Sequence, residues 1–329
     1  MLAHPGRIEL EHRPIPAPAA GDVLIRVSSV GVCGSDTHYY REGRIGDFVV
    51  ESPLVLGHEA AGTVVSVGPG VRHELVGRRV SIEPQRPDPG SDETRRGQYN
   101  LCPHMEFYAT PPVDGALCEY VTIGAAFAHP VPDSMSDAAA AMCEPLSVGI
   151  AAITKTAVSG GCRVLIAGAG PIGIMVTQVA RAFGATDIVV TDLDATRREL
   201  AARFGATATL DPRIDDVSDL GVDAFVDASG AAAAVRSGIA AVRPAGRVVL
   251  VGMGAATMEL PVQIIQNREL VLTGVFRYAN TWPTAIELVR SGRVDLDAMV
   301  TGRYPLEKTA EALESDRVPG SIKSIVEVS

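Results

Sequence analysis

Between Gly21 and Arg79 apolar residues fall in short alternating runs that glycines interrupt, as in DVLIRVSSVG and AAGTVVSVGPGV. That rhythm predicts antiparallel β-structure. The pattern lapses from Glu83 to Pro112, where EPQRPDPGSDETRRGQYNLCPHMEFYATPP is rich in Pro, Asp, Arg and Gly. A long surface excursion is predicted there. From Cys162 the style changes again. Apolar runs (RVLIAG, TDIVVTD, VDAFVDASG, GRVVLVG and ELVLTGVF) now alternate with Ala-rich helical stretches. Strands alternating with helices predict an α/β domain with a parallel, doubly wound sheet. The tail from Tyr278 to Ser329 returns to mixed helix and strand and is expected to complete the first domain.

Length and composition narrow the class. With 329 residues, 47% hydrophobic and only 5% aromatic, the chain can bury a sizeable core in two domains. Glycine and proline show no collagen-like period, and the mean hydropathy is +0.19, which excludes fibrous and disordered classes. Lys+Arg 29 against Asp+Glu 39 gives a formal charge of −10 with no basic run, so neither nucleic acid nor an anionic membrane is the expected partner. A small molecule is. The five scattered cysteines are odd in number and make no secreted disulfide framework, so a reducing cytoplasm is expected. The N-terminal MLAHPGRIELEHRPIP has no apolar stretch long enough for a secretion signal. Val164 to Ala180 is the most membrane-like segment, but Gly168, Gly170, Pro171 and Gly173 interrupt it. It reads as buried strand, turn and helix.

That segment also carries chemistry. A strand over Arg163–Ala167 runs into Gly168-Ala169-Gly170-Pro171-Ile172-Gly173 and an apolar helix, which is the context in which G-x-G-x-x-G binds a dinucleotide. The glycines allow a tight turn and close approach of a pyrophosphate, and the helix N-terminus supplies partial positive charge. Asp192 follows Gly173 by 19 residues, placed to accept from the adenine ribose hydroxyls. Its carboxylate would repel a 2′-phosphate, so NAD is expected rather than NADP, although Arg197 and Arg198 could accommodate one.

The first half offers Cys33, His58 and Glu59, with Glu144 further on: donors of the types that bind Zn²⁺. Each also has an ordinary structural use, and spacing alone does not assemble them. The run Gly57-His58-Glu59-x2-Gly62-x5-Gly68-x2-Val71 resembles the zinc signature of the medium-chain alcohol dehydrogenases. VGVCGSDTHYYREGRIGDF, GQYNLCP, FYATPPVDGALCEY, EPLSVGI, GAGPIGI, VTDLDATR and GVFRYANTWP are similar to the sorbitol and xylitol (polyol) dehydrogenase branch, across nearly the whole chain. The resemblance implies a GroES-like catalytic domain, mostly antiparallel, over 1–145 and completed by 276–329. It further implies a Rossmann NAD-binding domain over 146–275 and a homotetramer or homodimer.

Carried over residue by residue, the resemblance makes Cys33, His58 and Glu59 ligands of one catalytic zinc, and Glu144 a carboxylate at or beside it. Simple alcohol dehydrogenases use a cysteine at that last position. Cys143 stands one residue before it, but EPLSVG aligns without a gap and Glu144 is retained. Ser35 and His38 match a relay that passes the hydroxyl proton through the cofactor ribose to solvent. Tyr39, Arg277 and Tyr278 match polyol-contacting residues, with Phe107 and Thr110 as pocket walls. Gly168, Gly170, Ile172, Gly173, Asp192 and Arg197 would hold the adenine half of NAD. Val251, Gly252, Met253, Val275 and Phe276, together with Arg277, follow late strands where the nicotinamide would rest. Two departures from the family stand out. The four positions of its structural zinc hold Asp88, Ser91, Thr94 and Cys102, and one thiol cannot build that site, so no structural zinc is expected. The strand that normally precedes the HPG turn is also expected to be missing.

The chemistry suits the residues. Zn²⁺ can bring the pKa of a bound hydroxyl from about 16 to about 7, roughly 12 kcal/mol of differential stabilisation, far beyond a hydrogen bond. The expected activity is NAD-linked oxidation of a secondary hydroxyl of an alditol to a ketose. Two other readings are a relative acting on an amino alcohol, such as L-threonine dehydrogenase, and a non-catalytic dinucleotide-binding protein. GVFRY and Glu144 weigh against the former, and Cys33, His58 and Glu59 against the latter.

Overall fold

The computed structural model describes residues 1–328, which form two compact units. The first comprises Met1–Glu144, Trp282–Arg290 and the stretch from Asp295 onward; the second comprises Pro145–Thr281 and Ser291–Val294. Residues 276–281, expected with the completing tail, therefore group with the second unit.

The first unit is built on a seven-stranded sheet. Its order is Ala128–Pro130, Arg79–Ile82, Glu59–Val67, Asp22–Gly31, Lys323–Glu327, Val300–Pro305, and Tyr120–Gly124 also pairs with Asp22–Gly31. All pairings are antiparallel except that between the two C-terminal strands. Asp22–Gly31 departs from simple alternation: Arg26 alone is exposed. This strand pairs with three others and is bulged twice against Glu59–Val67, and side chains on both of its faces are buried. Val23, Ile25, Val27 and Val30 lie in the core with Val64 and Val326.

Two expectations need correction here. A strand, Leu2–His4, does precede the His4-Pro5-Gly6 turn; it pairs with Arg7–Ile8 rather than joining the main sheet, and its Leu2 is fully buried. The stretch from Glu83 to Pro112 is largely exposed only in its middle, since Glu83, Gln85, Phe107 and Tyr108 are buried. The apolar pattern lapses at Glu83 because polar groups satisfy one another inside. The Tyr99 hydroxyl and Gln85 amide donate to Glu83 Oε1 at 2.7 and 3.1 Å, and His129 Nε2 lies 2.9 Å from Oε2.

The second unit holds a six-stranded sheet, all parallel, in the order Ala208–Leu210, Asp187–Thr191, Arg163–Ala167, Val222–Asp227, Val242–Leu250, Val271–Gly274. Numbered along the chain this order is 3-2-1-4-5-6, the doubly wound dinucleotide-binding arrangement. The short edge strand Ala208–Leu210, reading ATL, carries too little apolar pattern to be foreseen. Among the described residues no helix is long and apolar enough to cross a membrane.

One close approach in this unit allows a stability test. The buried ring of Phe225 lies over Gly238 in the helix Ala232–Ala241, where an added Cβ would come within 2.2 Å of the ring. Helix propensity alone favours Gly→Ala by about 1 kcal/mol, but overpacking a core costs about 1–3 kcal/mol. Gly238→Ala should therefore lower the thermal unfolding midpoint. A midpoint unchanged or raised would show that Phe225 gives way freely.

Candidate active site

Cys33 and the adjacent pair His58 and Glu59 are brought together by two turns and a strand pairing. Cys33 precedes the helix Gly34–Glu42 in extended conformation, and its N–H donates to Asp36 Oδ2 at 3.1 Å. Gly57, at φ +89°, makes the turn that delivers His58, and its own N–H donates to Asp36 Oδ1 at 2.9 Å. Asp36 thus ties both turns together. Glu59 opens the strand Glu59–Val67 directly opposite Gly31. A Cβ at Gly31 would stand 2.0 Å from Glu59 Oε2, so only glycine leaves room for the carboxylate.

The outcome is a cluster in which one ligand atom each from Cys33, His58 and Glu59 lies within 4.8 Å of the others. Glu59 is fully buried; the Lys323 ammonium holds its Oε1, and its Oε2 has no hydrogen-bond partner, an acceptor that a bound cation would satisfy. Thiol, imidazole and carboxylate together suit Zn²⁺. Asp36 Oδ1 lies 3.7 Å from His58 Nδ1, which places a carboxylate behind the imidazole at ion-pair distance. Burial opposes charge on His58, yet Asp36 and the Cys33 sulfur raise its pKa well above the ordinary value. Burial likewise opposes ionisation of Asp36, but His58 and the Gly57 and Cys33 N–H groups hold its carboxyl below the usual carboxylate range. A proton and a cation compete for the same imidazole, so metal binding here is linked to pH.

Other sequence-predicted residues find varied places. The Phe107 ring is buried with its centroid 5.6 Å from that of His58, a wall beside the cluster. Thr110 bridges to Val113 in a partly exposed turn. Tyr39 belongs to the apolar core of the first unit. Ser35 is half-buried, while His38 is exposed with Nδ1 3.4 Å from Glu42 Oε1. Glu144 is buried in the first turn of the helix Cys143–Thr156, outside the cluster of three ligands. Its charge is nonetheless felt at Lys323. Cys143 is fully buried, its thiol faces the Ala139 carbonyl at 3.6 Å, and burial pushes its pKa to about 12. Neither Cys143 nor Glu144 belongs to the cluster of three ligands. Asp36 and Lys323 were not foreseen, since a residue that touches a ligand rather than the metal carries no motif of its own.

In the second unit the fingerprint loop follows the strand Arg163–Ala167 into the helix Pro171–Ala182. A Cβ on Gly173 would lie 1.8 Å from the Gly168 carbonyl, so the helix packs this closely only on glycine. Gly170 caps the helix without a side-chain bond, leaving first-turn N–H groups, Ile172's among them, for an anion. Asp192 Oδ2 accepts from Ala169 N–H at 2.8 Å and Oδ1 from Asp194 N–H at 2.9 Å, which fixes its carboxylate beside the loop. Arg198 is engaged with Asp211 at 3.3 Å and with the Asp192 carbonyl at 2.7 Å; Arg197 is exposed. Because the strands are parallel, Val251–Met253 and Val275–Arg277 emerge at the same sheet edge as the fingerprint. Arg277, at φ +55°, stacks its guanidinium 4.8 Å from the Phe276 ring centroid, and Tyr278 is buried. Positive φ at a bulky residue is strain of the sort that collects at functional loops.

Residues 19–133 match the alcohol dehydrogenase GroES-like domain, and residues 171–291 match the zinc-binding dehydrogenase domain. The sorbitol dehydrogenase of Gallus gallus is 43% identical over 328 residues, covering 97% of this chain and 92% of that protein. The sorbitol dehydrogenase of Homo sapiens is 44% identical over 321 residues, covering 94% and 90%. The chain belongs to the zinc-dependent medium-chain dehydrogenases, in their polyol branch. An L-idonate 5-dehydrogenase from Escherichia coli, with a TM-score of 0.94 and 29% identity over 99% of this chain and 96% of that one, shares the fold of this dehydrogenase.

The loop from Asp88 to Cys102 is knit by hydrogen bonds. Asp88 N–H donates to Cys102 Sγ at 3.2 Å, Ser91 Oγ to Thr94 Oγ1 at 2.9 Å, and Thr94 N–H to Ser91 Oγ at 3.2 Å. Elemental analysis should find one zinc per chain. Cys33→Ser should abolish it, and Cys102→Ser should leave it unchanged. Two zinc ions per chain, or loss on replacing Cys102, would contradict this assignment.

Proposed function

We propose that this chain oxidises a secondary hydroxyl of an alditol such as sorbitol or xylitol to a ketose, with one zinc and NAD. The observation that carries the reading is the Cys33–His58–Glu59 cluster with its unpartnered Glu59 oxygen, in a chain 43% identical to a sorbitol dehydrogenase. When bound, zinc supplies the Lewis acidity that makes a substrate hydroxyl a stronger acid, and NAD accepts the carbinol hydride.

The chain's own residues do the rest. Cys33, His58 and Glu59 hold the cation, Asp36 orients His58, and Glu144 adds a carboxylate nearby. Phe107 limits access of water to His58. Ser35 and His38 are assigned the outward path of the proton, and the exposure of His38 suits a group that hands it to solvent. Arg277 and Tyr278 are assigned to the neighbouring hydroxyls of the substrate, with Tyr39 and Thr110 as further lining. Asp192 is assigned to the adenine ribose. Asp211 pairs with both Arg198 and Arg213, which leaves fewer cations for a 2′-phosphate and favours NAD.

A homotetramer or homodimer fits the edge strand Val271–Gly274, whose Val271 is 46% exposed and which pairs with one strand only. A cytoplasmic site is in keeping with five free cysteines.

With NAD the kcat/KM should exceed that with NADP; equality of the two would contradict the role given to Asp192. Arg277→Leu should lower kcat/KM for sorbitol or xylitol by about tenfold to a hundredfold, because each unpartnered buried polar group costs about 1–3 kcal/mol. The effect on 2-butanol should be small and bound zinc unchanged. An equal loss with both substrates would place Arg277 with the cofactor or the fold rather than with the substrate.

A further inference from the structure

Lys323 begins the C-terminal strand Lys323–Glu327 and its side chain is only 4% exposed. The ammonium donates to Glu59 Oε1 at 2.5 Å and to the Val32 carbonyl at 2.8 Å. Val32 adjoins Cys33, and its N–H donates in turn to the Ser324 carbonyl at 2.9 Å. One lysine is therefore fastened to both segments that carry ligands. Lysines are almost never buried unless paired, and desolvation offsets most of what a buried pair contributes to stability, so stability alone is a poor reason for this one. Its geometry offers another. With Oε1 held by Lys323, Oε2 is the carboxylate oxygen left without a partner.

We propose that Lys323 is a positioning residue of the metal centre: it occupies one oxygen of Glu59 so that only the other is presented to a divalent cation. The opposing wall is Gly31, whose missing Cβ leaves Oε2 its space. The inference rests on Cys33, His58 and Glu59 as a metal site, and not on the identity of the substrate.

The test reads the metal rather than turnover. Lys323→Met and Lys323→Gln are compared with the wild type for zinc retention against a chelator and for the visible absorption of the cobalt(II)-substituted protein. Loss of an orienting partner typically costs about 10–100-fold in metal affinity. Lys323→Met should weaken zinc by that much and shift the cobalt bands. Lys323→Gln, whose amide can still donate, should fall between it and the wild type. Should the methionine variant fail to fold, the glutamine variant still has to lose zinc faster than the wild type. X-ray absorption on the zinc-loaded wild type adds an arm that needs no variant, and it should find a single carboxylate oxygen from Glu59. A folded neutral variant with wild-type zinc retention and cobalt spectrum would overturn the proposal, as would two Glu59 oxygens on the metal. A drop in thermal stability of the metal-free protein with unchanged metal properties would show a structural role only, and would overturn it equally.

Discussion

The site depends on one strand register. Gly31 stands opposite Glu59 on one side and Ile325 on the other, and through that pairing three distant segments converge. A slip of one residue would turn Glu59 to the other face of its strand and bring a different residue beneath it. The bulges in Asp22–Gly31 and the burial of both its faces make such a slip expensive, because the core that fixes the register includes Ile25, Val27 and Val30. Packing energy spread over the first unit is thus converted into the position of one carboxylate.

Within that frame the charges are arranged in layers. Cys33, His58 and Glu59 present sulfur, nitrogen and oxygen to one point, and behind them Asp36 and Lys323 face the histidine and the glutamate. Each outer group is buried and of opposite sign to the ligand it faces, so the ligands are oriented before any cation arrives. The second unit applies the same economy to an anion. Gly173 lets the helix pack against the Gly168 carbonyl, the helix N-terminus carries no side-chain cap, and Asp192 is fixed by two backbone N–H groups rather than left to swing.

How much of this the sequence discloses follows from where each signal resides. The parallel sheet was legible because each long strand is a continuous apolar run, and the fingerprint because its glycines have local steric causes. Ala208–Leu210 was not legible, since three residues at a sheet edge need no apolar run. The buried polar group around Glu83 was read as surface, because hydrogen bonds to Tyr99, Gln85 and His129 satisfy it inside and composition does not record pairing. The cluster of Cys33, His58 and Glu59 came from a family resemblance rather than spacing, and only the strand register explains it. Lys323 was invisible in principle: it meets Glu59 across 264 positions of sequence.

Together these features describe a dehydrogenase whose first unit prepares a cation site and whose second prepares a dinucleotide site. Alditol oxidation on this scheme requires the cation held by the first unit. The most direct measurement strips the metal with a chelator, assays sorbitol or xylitol oxidation with NAD, and then restores zinc. Oxidation should be lost on stripping and return with zinc. Undiminished alditol oxidation by the metal-free protein would contradict it.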